Sequence, residues 1–232
     1  MSRMKASAVL FATLATSSFL HVTPAAAAMT YQQRASTLTT SGLSCSDFSC
    51  PIGTTTTTVT DFSPFSDSMS YNGGEAIATQ QSSLGTNEIQ VNSTTSAVSA
   101  FLGSASSNFS VQFSLNDTEN FNFTGTGIST YSGATVKIEL TGPNGLDYSA
   151  PPWVNSNDNN QYSVSASGTL GPGTYNLVVD ALSGGDNNPF ANAQATLEVA
   201  PVPLPAAGLL LLSGLAPLGF LRRMHRRLPL PV

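Results

Sequence analysis

The chain has 232 residues and a formal net charge of −5, a length that favours a single domain once its two atypical ends are set aside. Six of the eight basic residues lie in those ends, so residues 29–200 carry two basic and thirteen acidic residues, which gives a net charge of −11. Such a surface repels phosphate backbones, and nucleic-acid binding is therefore disfavoured.

The first 28 residues have the pattern of a secretory signal peptide. Arg3 and Lys5 precede an apolar run at 6–22, and four alanines follow at 25–28. A basic start, an apolar core and small residues at the cleavage point are the three parts of such a signal. We expect export through the Sec machinery and cleavage after Ala28, with an uncleaved membrane anchor as the alternative.

Residues 29–60 are less regular, and we interpret them as an irregular lead-in that is either an edge strand or a mobile segment. The five threonines at 54–58 fit both interpretations, because threonine favours strands and is also frequent in exposed linkers. Cys45 and Cys50 are the only cysteines, and in an oxidising compartment such a close pair predicts one structural disulfide.

Residues 61–200 are predicted to form an all-β domain, an antiparallel β-sandwich of two sheets packed face to face. Apolar and polar residues alternate in six runs, which is the pattern of strands with one buried face. Clusters of glycine, proline and asparagine separate the runs and predict tight reversals. A jelly roll and an immunoglobulin-like sandwich both fit. The runs lie at 111–115, 121–123, 136–140, 162–166, 175–179 and 191–199.

One segment of this body carries a resemblance to a known domain. In the sequence LGPGTYNLVV at 170–179, a glycine turn leads into a strand that begins with Tyr175. With the surrounding pattern at 108–199, this segment is similar to bacterial pre-peptidase C-terminal-like domains, which are β-sandwiches. The resemblance implies the same fold and assigns no functional residue.

The body lacks histidine, because His21 and His225 both lie in the terminal segments. A Ser-His-Asp or Cys-His nucleophile and an ordinary His-ligated zinc site are therefore excluded there. Hydrolysis by paired carboxylates stays open, since it needs only two acids about 5 to 9 Å apart. We predict a protein that is not an enzyme, with a carboxylate-dependent glycoside hydrolase as an alternative.

Two loops and one aromatic residue are candidates for ligand binding. The Asn- and Asp-rich loops at 155–160 and 184–188 offer oxygen ligands for Ca²⁺, but neither has EF-hand spacing, and turn formation alone also explains them. We assign no metal and no cofactor. Trp153 either contacts a glycan by stacking on a sugar ring or caps the sandwich. Four Asn-x-Ser/Thr triplets make glycan attachment chemically available, at Asn92, Asn108, Asn116 and Asn122.

Residues 201–232 combine a proline motif, an apolar segment and a basic cluster. We predict a transmembrane helix at 206–221, which reaches spanning length when 202–205 are included. The prolines end the preceding strand, and the arginines hold the chain end in the cytoplasm. An ordinary single-span tail anchor is the alternative. The motif consists of Val202, Pro203, Leu204, Pro205 and Ala206. The basic stop consists of Arg222, Arg223, Arg226 and Arg227.

This three-part tail at 202–227 resembles the PEP-CTERM family of sorting signals, in its VPLPA variant. The resemblance implies that an exosortase, a membrane-embedded cysteine transpeptidase, recognises the tail and cuts near the motif. The inner membrane of a Gram-negative-type bacterium would then hold the chain transiently, before transfer to the cell surface or an extracellular polysaccharide matrix. Residues 228–232, after the arginines, depart from the family pattern.

The sequence thus predicts an exported structural protein of the cell surface or extracellular matrix, sorted by an exosortase. The first alternative is a secreted carbohydrate-binding or adhesive module in which Trp153 meets a glycan. The second alternative is the carboxylate-dependent glycoside hydrolase.

Overall fold

The structure is a computed structural model that describes residues 27–43, 52–71, 75–98, 103–131, 133–149, 160–185 and 187–203. These ranges form strands and one 3-10 turn at Pro143–Gly145, and every strand pair within them is antiparallel. The predicted all-β fold with two antiparallel sheets is therefore confirmed. Within these ranges, no helix is long and apolar enough to cross a membrane. The predicted signal peptide and transmembrane helix lie almost wholly outside them.

Twelve strands make up the described fold. In chain order they are β1 (Thr30–Leu43), β2 (Ile52–Val59), β3 (Phe65–Tyr71), β4 (Ala76–Leu84), β5 (Glu88–Ala97), β6 (Ser104–Leu115), β7 (Glu119–Thr130), β8 (Ala134–Thr141), β9 (Asp147–Ser149), β10 (Asn160–Leu170), β11 (Gly173–Gly184) and β12 (Phe190–Pro201). The predicted runs all fall within strands, namely β6, β7, β8, β10, β11 and β12.

The strands form two six-stranded sheets. Sheet I has the order β2-β1-β6-β11-β8-β9, and sheet II has the order β10-β7-β12-β5-β4-β3. The sheets pack face to face so that β2 contacts β3 at one side of the sandwich and β9 contacts β10 at the other. Six strands a sheet is more than an immunoglobulin domain or a jelly roll contains, so the sandwich matches neither subtype in strand number.

The prediction that 29–60 is an irregular lead-in is wrong for β1, which lies inside sheet I, whereas the edge-strand interpretation of the threonines at 54–58 is confirmed, because β2 is the edge strand of that sheet. β1 pairs with β6 from Thr30 to Ser41, so the sandwich begins near 29 and not at 61. The inward positions of β1 explain the error, since Tyr31 and Leu38 are the only large apolar or aromatic residues among them and a β-bulge between Tyr31 and Gln33 shifts the alternation. The others are Arg34, Ser36, Thr40 and Gly42, which hide the period of two. The connection with Cys45 and Cys50 lies outside the described residues.

The first described residues are also packed into the sandwich. Met29 is buried in the main core, and its backbone N–H donates a hydrogen bond of 2.8 Å to the carbonyl of Thr86. Ala27 is buried too, although it falls within the predicted signal peptide. Cleavage after Ala28 would therefore leave β1 whole and remove one buried methyl group.

The interior changes character along the strands. One end, called here the apolar end, contains large side chains with no exposed surface, namely Phe109, Phe113, Phe123, Leu140, Leu177 and Leu197. The opposite end, called the polar end, contains a small apolar cluster around Leu38 and Met69. Its other buried residues are small or carry hydroxyls, namely Thr40, Ser93, Thr95, Ala105, Ser107, Ala181, Ser183 and Ala191. The hydroxyls of five of these residues have no hydrogen-bond partner in the described protein: Thr40, Ser93, Thr95, Ser107 and Ser183. The driving force of burial is thus concentrated at the apolar end.

Candidate functional site

The outer face of sheet II carries a shallow groove of uncharged polar side chains. The strand register places five of them in one row across β3, β4, β5, β12 and β7, namely Ser66, Gln81, Asn92, Gln194 and Thr126. A second row beside it, across β4, β5, β12 and β7, contains Ser83, Gln90, Thr196 and Thr124. Neighbouring strands are about 4.8 Å apart, so the rows form a regular array of amides and hydroxyls.

Two hollows adjoin each other in the groove. The first, of about 400 Å³, is called here the main hollow because most members of the two rows line it; it lies among Gln81, Gln90, Asn92 and Gln194, and Phe65 also lines it. A second hollow of about 500 Å³ adjoins it on the side of β3, and Asp67 lines that part. Amides and hydroxyls donate and accept hydrogen bonds at once, as the hydroxyls of a neutral sugar do. The main hollow therefore has the chemistry to bind an uncharged polar ligand.

Hydrogen bonds hold part of the groove in place. The side-chain amide of Asn192 donates to the Oδ1 of Asn92 at 3.1 Å and to the Oγ1 of Thr94 at 2.7 Å. Within the second row, the amide of Gln90 donates to the carboxylate of Glu88, two residues earlier on β5. These bonds fix side chains on β5 before any ligand binds, which lowers the entropy lost on binding.

A buried arginine supports the strand that borders the groove. Arg34 on β1 is 4% exposed, and the rings of Phe65 and Phe109 lie 5.8 and 5.9 Å from its guanidinium carbon. Burial lowers the pKa of Arg34, and the charge of Asp61 acts in the opposite direction. Its guanidinium donates to the Oγ atoms of Ser36 and Ser82 and to the carbonyls of Asp61 and Ser63. Arg34 thus joins sheet I to β4 and to the segment before β3.

The outer face of sheet I has a small charged cluster. Lys137 on β8 forms a salt bridge of 2.6 Å with Glu139, and it lies opposite Asp180 of β11 in the strand register. Burial raises the pKa of Asp180 to about 6, while Lys137 and a backbone hydrogen bond from Phe109 act to lower it. In the described ranges, no group of three His, Cys, Asp or Glu side chains is placed to hold a metal ion.

Few of the residues singled out in the sequence fall in the described ranges. Val202 and Pro203 follow β12 directly, and both are exposed. The rest of the sorting motif, the arginines of the basic stop, the two cysteines and Trp153 lie outside those ranges. So do 155–159 and 186 of the two candidate calcium loops. Each of the four triplet asparagines is exposed, namely Asn92, Asn108, Asn116 and Asn122.

The groove itself escaped prediction from the sequence. Its amides alternate with buried residues, as Gln90 and Asn92 alternate with Ile89 and Val91. The sequence therefore indicates that each amide lies on the exposed face of a strand. Nothing in their spacing shows that Gln81 and Gln194 share a row, because more than a hundred residues separate them in the chain. The strand register alone brings them together.

Comparison with models of protein families and with curated proteins finds no match for this chain. The resemblance of the tail to sorting signals and that of the body to pre-peptidase C-terminal-like domains therefore stay predictions. Function has to be argued from the residues and geometry of the chain itself.

Proposed function

We propose that this chain is an exported structural protein of the cell surface or extracellular matrix, sorted and processed by an exosortase-type transpeptidase. The observation that supports this most is where the fold ends. β12 stops at Pro201, and Val202 and Pro203 extend from it as exposed residues outside the sheet. The predicted sorting motif therefore starts directly after the last strand that the structure describes.

This arrangement has a direct consequence for processing. A cut near the motif leaves all of the described strands in the released body, including β12, which has partners on both sides. The body then carries a net charge of −11 and no apolar tail, which favours solubility in an aqueous envelope or matrix.

The test is the identity of the mature C-terminus. The full chain is expressed in cells with and without a sorting transpeptidase, and mass spectrometry of the intact protein locates the last residue. We expect loss of 206–232 only where the enzyme is present. Pro203→Ala combined with Pro205→Ala should prevent the cut, whereas Pro172→Ala, in an exposed turn, should not. Recovery of a chain that still ends at Val232 beside a competent enzyme would contradict the proposal.

A second candidate function, a secreted carbohydrate-binding or adhesive module, is favoured by the groove on sheet II. Its main hollow is lined by amides and hydroxyls and has one aromatic residue, Phe65, at its edge. Such side chains match the hydroxyls of a neutral polysaccharide better than they match an anionic one, since the body is strongly acidic.

Affinity electrophoresis against neutral polysaccharides tests this second function. Gln81→Ala combined with Gln194→Ala should weaken binding about thirtyfold, because two hydrogen bonds of about 1 kcal/mol each are lost. Asn108→Ala, an exposed amide on the other sheet, is the matched control and should bind normally. Trp153→Ala tests the contact predicted from the sequence. Absence of binding to every polysaccharide would remove this candidate.

The third possibility is a carboxylate-dependent glycoside hydrolase. The groove that could hold a sugar is lined mainly by amides and hydroxyls, and Asp67 lines its second hollow. Beside the second row, Glu88 of β5 and Glu198 of β12 lie opposite each other in the strand register, and they are the one pair of facing acids next to the groove on the described strands. A broad glycosidase screen that detects turnover would revive it.

A further inference from the structure

The four edge strands of the sandwich are unequal. β9 is only three residues long, and β3 carries Asp67, so both have a feature that discourages pairing with another chain. β2 and β10 are longer, at 8 and 11 residues, and neither contains a charged residue or a proline. Natural edge strands are normally short or carry a charge or a proline, because a free edge is a template for strand addition. An edge strand with one of these features is called guarded here, and one without them is called unguarded.

Both unguarded strands have one free side in the described structure. β2 pairs with β1 from Ile52 to Val59, and β10 pairs with β7 along its whole length. Within the described ranges, no strand pairs with the other side of either one. The peptide groups of 52–59 and 161–170 therefore present a row of donors and acceptors away from the sandwich.

The two unguarded edges lie on opposite sides of the molecule. β2 ends sheet I at the side where β3 ends sheet II, and β10 ends sheet II at the side where β9 ends sheet I. Each side thus has one guarded and one unguarded edge. An interaction at one of the unguarded edges leaves the other free.

The side chains on these edges suit contact with an identical chain. The outward row of β2 already forms hydroxyl pairs with β1, at 3.2 Å between Thr58 and Thr37 and at 3.3 Å between Thr56 and Thr39. The outward row of β10 contains Gln161, Ser163 and Ser165, which can extend such a ladder. Although the body carries a net charge of −11, none of its acids lies on either strand, so copies can approach there without direct repulsion.

We propose that copies of this chain associate edge to edge, with β2 and β10 each forming an antiparallel pair with an edge strand of a second copy. Because the two edges lie on opposite sides, pairing does not close on itself, and the product is an open linear assembly. The proposal is independent of the sorting tail, since its residues are all in the sandwich. Its test reads assembly size, whereas the test of sorting reads the mature C-terminus.

The experiment blocks each edge with charge and measures assembly size by analytical ultracentrifugation of the full chain in detergent. Thr54→Lys with Thr56→Lys blocks β2, and Ser163→Lys with Ser165→Lys blocks β10; all four positions are exposed. We expect the unsubstituted chain to grow beyond dimers as concentration rises. Either block should stop growth at the dimer or monomer, and both together should give monomers.

A matched control shows whether the lysines act because they lie on edge strands or only because they add charge. Thr174→Lys with Leu182→Lys adds the same charge at exposed positions of β11, a central strand, and should assemble as the unsubstituted chain does. All variants keep 201–232, so association through the tail is equal in each. A further variant combines Thr54→Lys and Thr56→Lys on β2 with Ser163→Glu and Ser165→Glu on β10. Opposite charges then face each other if β2 pairs with β10, and assembly should return; like charges face each other if each edge pairs with its own copy, and the protein should stay small. Either result supports strand pairing.

A measurement on the unsubstituted chain tests the proposal even if some of the variants fail to fold. Amide hydrogen exchange at 52–59 and 161–170 should slow by tenfold or more between dilute and concentrated samples, while exchange in β6 and β12 should not change. A chain that stays monomeric at every concentration would overturn the proposal. So would a doubly blocked, folded variant that assembles to the same size as the unsubstituted chain.

Discussion

Arg34 is a cation in the interior without a carboxylate directly bonded to it in the described structure. Hydroxyls and carbonyls accept its hydrogen bonds, including one of 2.7 Å from Nη2 to the Oγ of Ser82, and two aromatic rings flank it. Hydrogen bonds to charged groups contribute about 1.5 to 3 kcal/mol each, and burial of the charge offsets much of that. The net effect is that β1, β4 and the segment before β3 depend on one side chain.

We therefore expect Arg34→Met to lower the free energy of unfolding by about 3 kcal/mol, because four acceptors lose their donor while the packing volume is nearly kept. Urea denaturation measures the change. The free energy of unfolding of Arg34→Lys should lie between those of the unsubstituted protein and Arg34→Met, because an ammonium reaches fewer acceptors than a guanidinium does. A loss below about 1 kcal/mol for the Met variant would show that the acceptors find other donors.

Asp180 makes stability depend on pH. Burial raises its pKa in the fold from 3.8 to about 6, so the folded state favours the protonated acid. The stability that this gives is fully present below about pH 4 and is lost as the pH rises through about 6. At neutral pH, Asp180 is therefore ionised although it is largely buried, and this lowers the stability of the folded protein.

Asp180→Asn should raise the free energy of unfolding by about 2 kcal/mol at pH 7 and change it much less at pH 4, where the folded protein holds a neutral side chain at 180 in both cases. Thermal denaturation of the two proteins at both pH values measures the difference, and other acids cancel in the comparison. An equal difference at pH 4 and pH 7 would mean that the shape of the side chain matters and its charge does not.

At the scale of strands, β7 is built to lie close to sheet I. Gly125 and Gly127 face inward, and a Cβ at Gly125 would come within 2.7 Å of Cγ2 of Ile138 on β8. A Cβ at Gly127 would collide with Cγ1 of Val136. The two glycines thus permit the close packing of β7 on β8.

Gly127→Ala should lower the free energy of unfolding by about 2 kcal/mol, because the added methyl group overpacks the interior. Val136→Ala in the same chain should restore part of the loss, since it removes the atom that collides. Chemical denaturation of the double-mutant cycle measures the coupling. Gly171→Ala, where an added Cβ meets nothing within 4 Å, is the control and should leave stability unchanged.

The strands differ in how clearly the sequence pattern predicts them. β6, β11 and β12 could be predicted because their inward positions hold large or clearly apolar residues. β4 was missed, since its inward positions include Gln80 and Ser82, and β5 continues from Ile89 and Val91 to Ser93 and Thr95. A hydrophobic period cannot appear where hydroxyls and amides are buried. The groove was missed for a different reason, because it depends on register between distant strands.

At the scale of the whole molecule, the uneven interior predicts uneven protection from solvent. The polar end buries small side chains and hydroxyls without protein partners, so less apolar surface opposes its opening. In β6, amides at 105–107 should exchange at least tenfold faster than those at 109–113, although all lie in one strand. Native-state hydrogen exchange measures both, and equal rates would show that the sandwich opens only as a unit.

The last strand that the structure describes is also a central one, since β12 lies between β7 and β5. Until residues 190–201 leave the ribosome, sheet II consists of two separate pieces, β10-β7 and β5-β4-β3. The growing polypeptide cannot complete its sandwich during synthesis, because the joining strand arrives at the very end. For the export proposed above, this late completion has a consequence: a chain that has not closed its sandwich is narrow enough to thread through a protein-conducting pore and can fold on the far side.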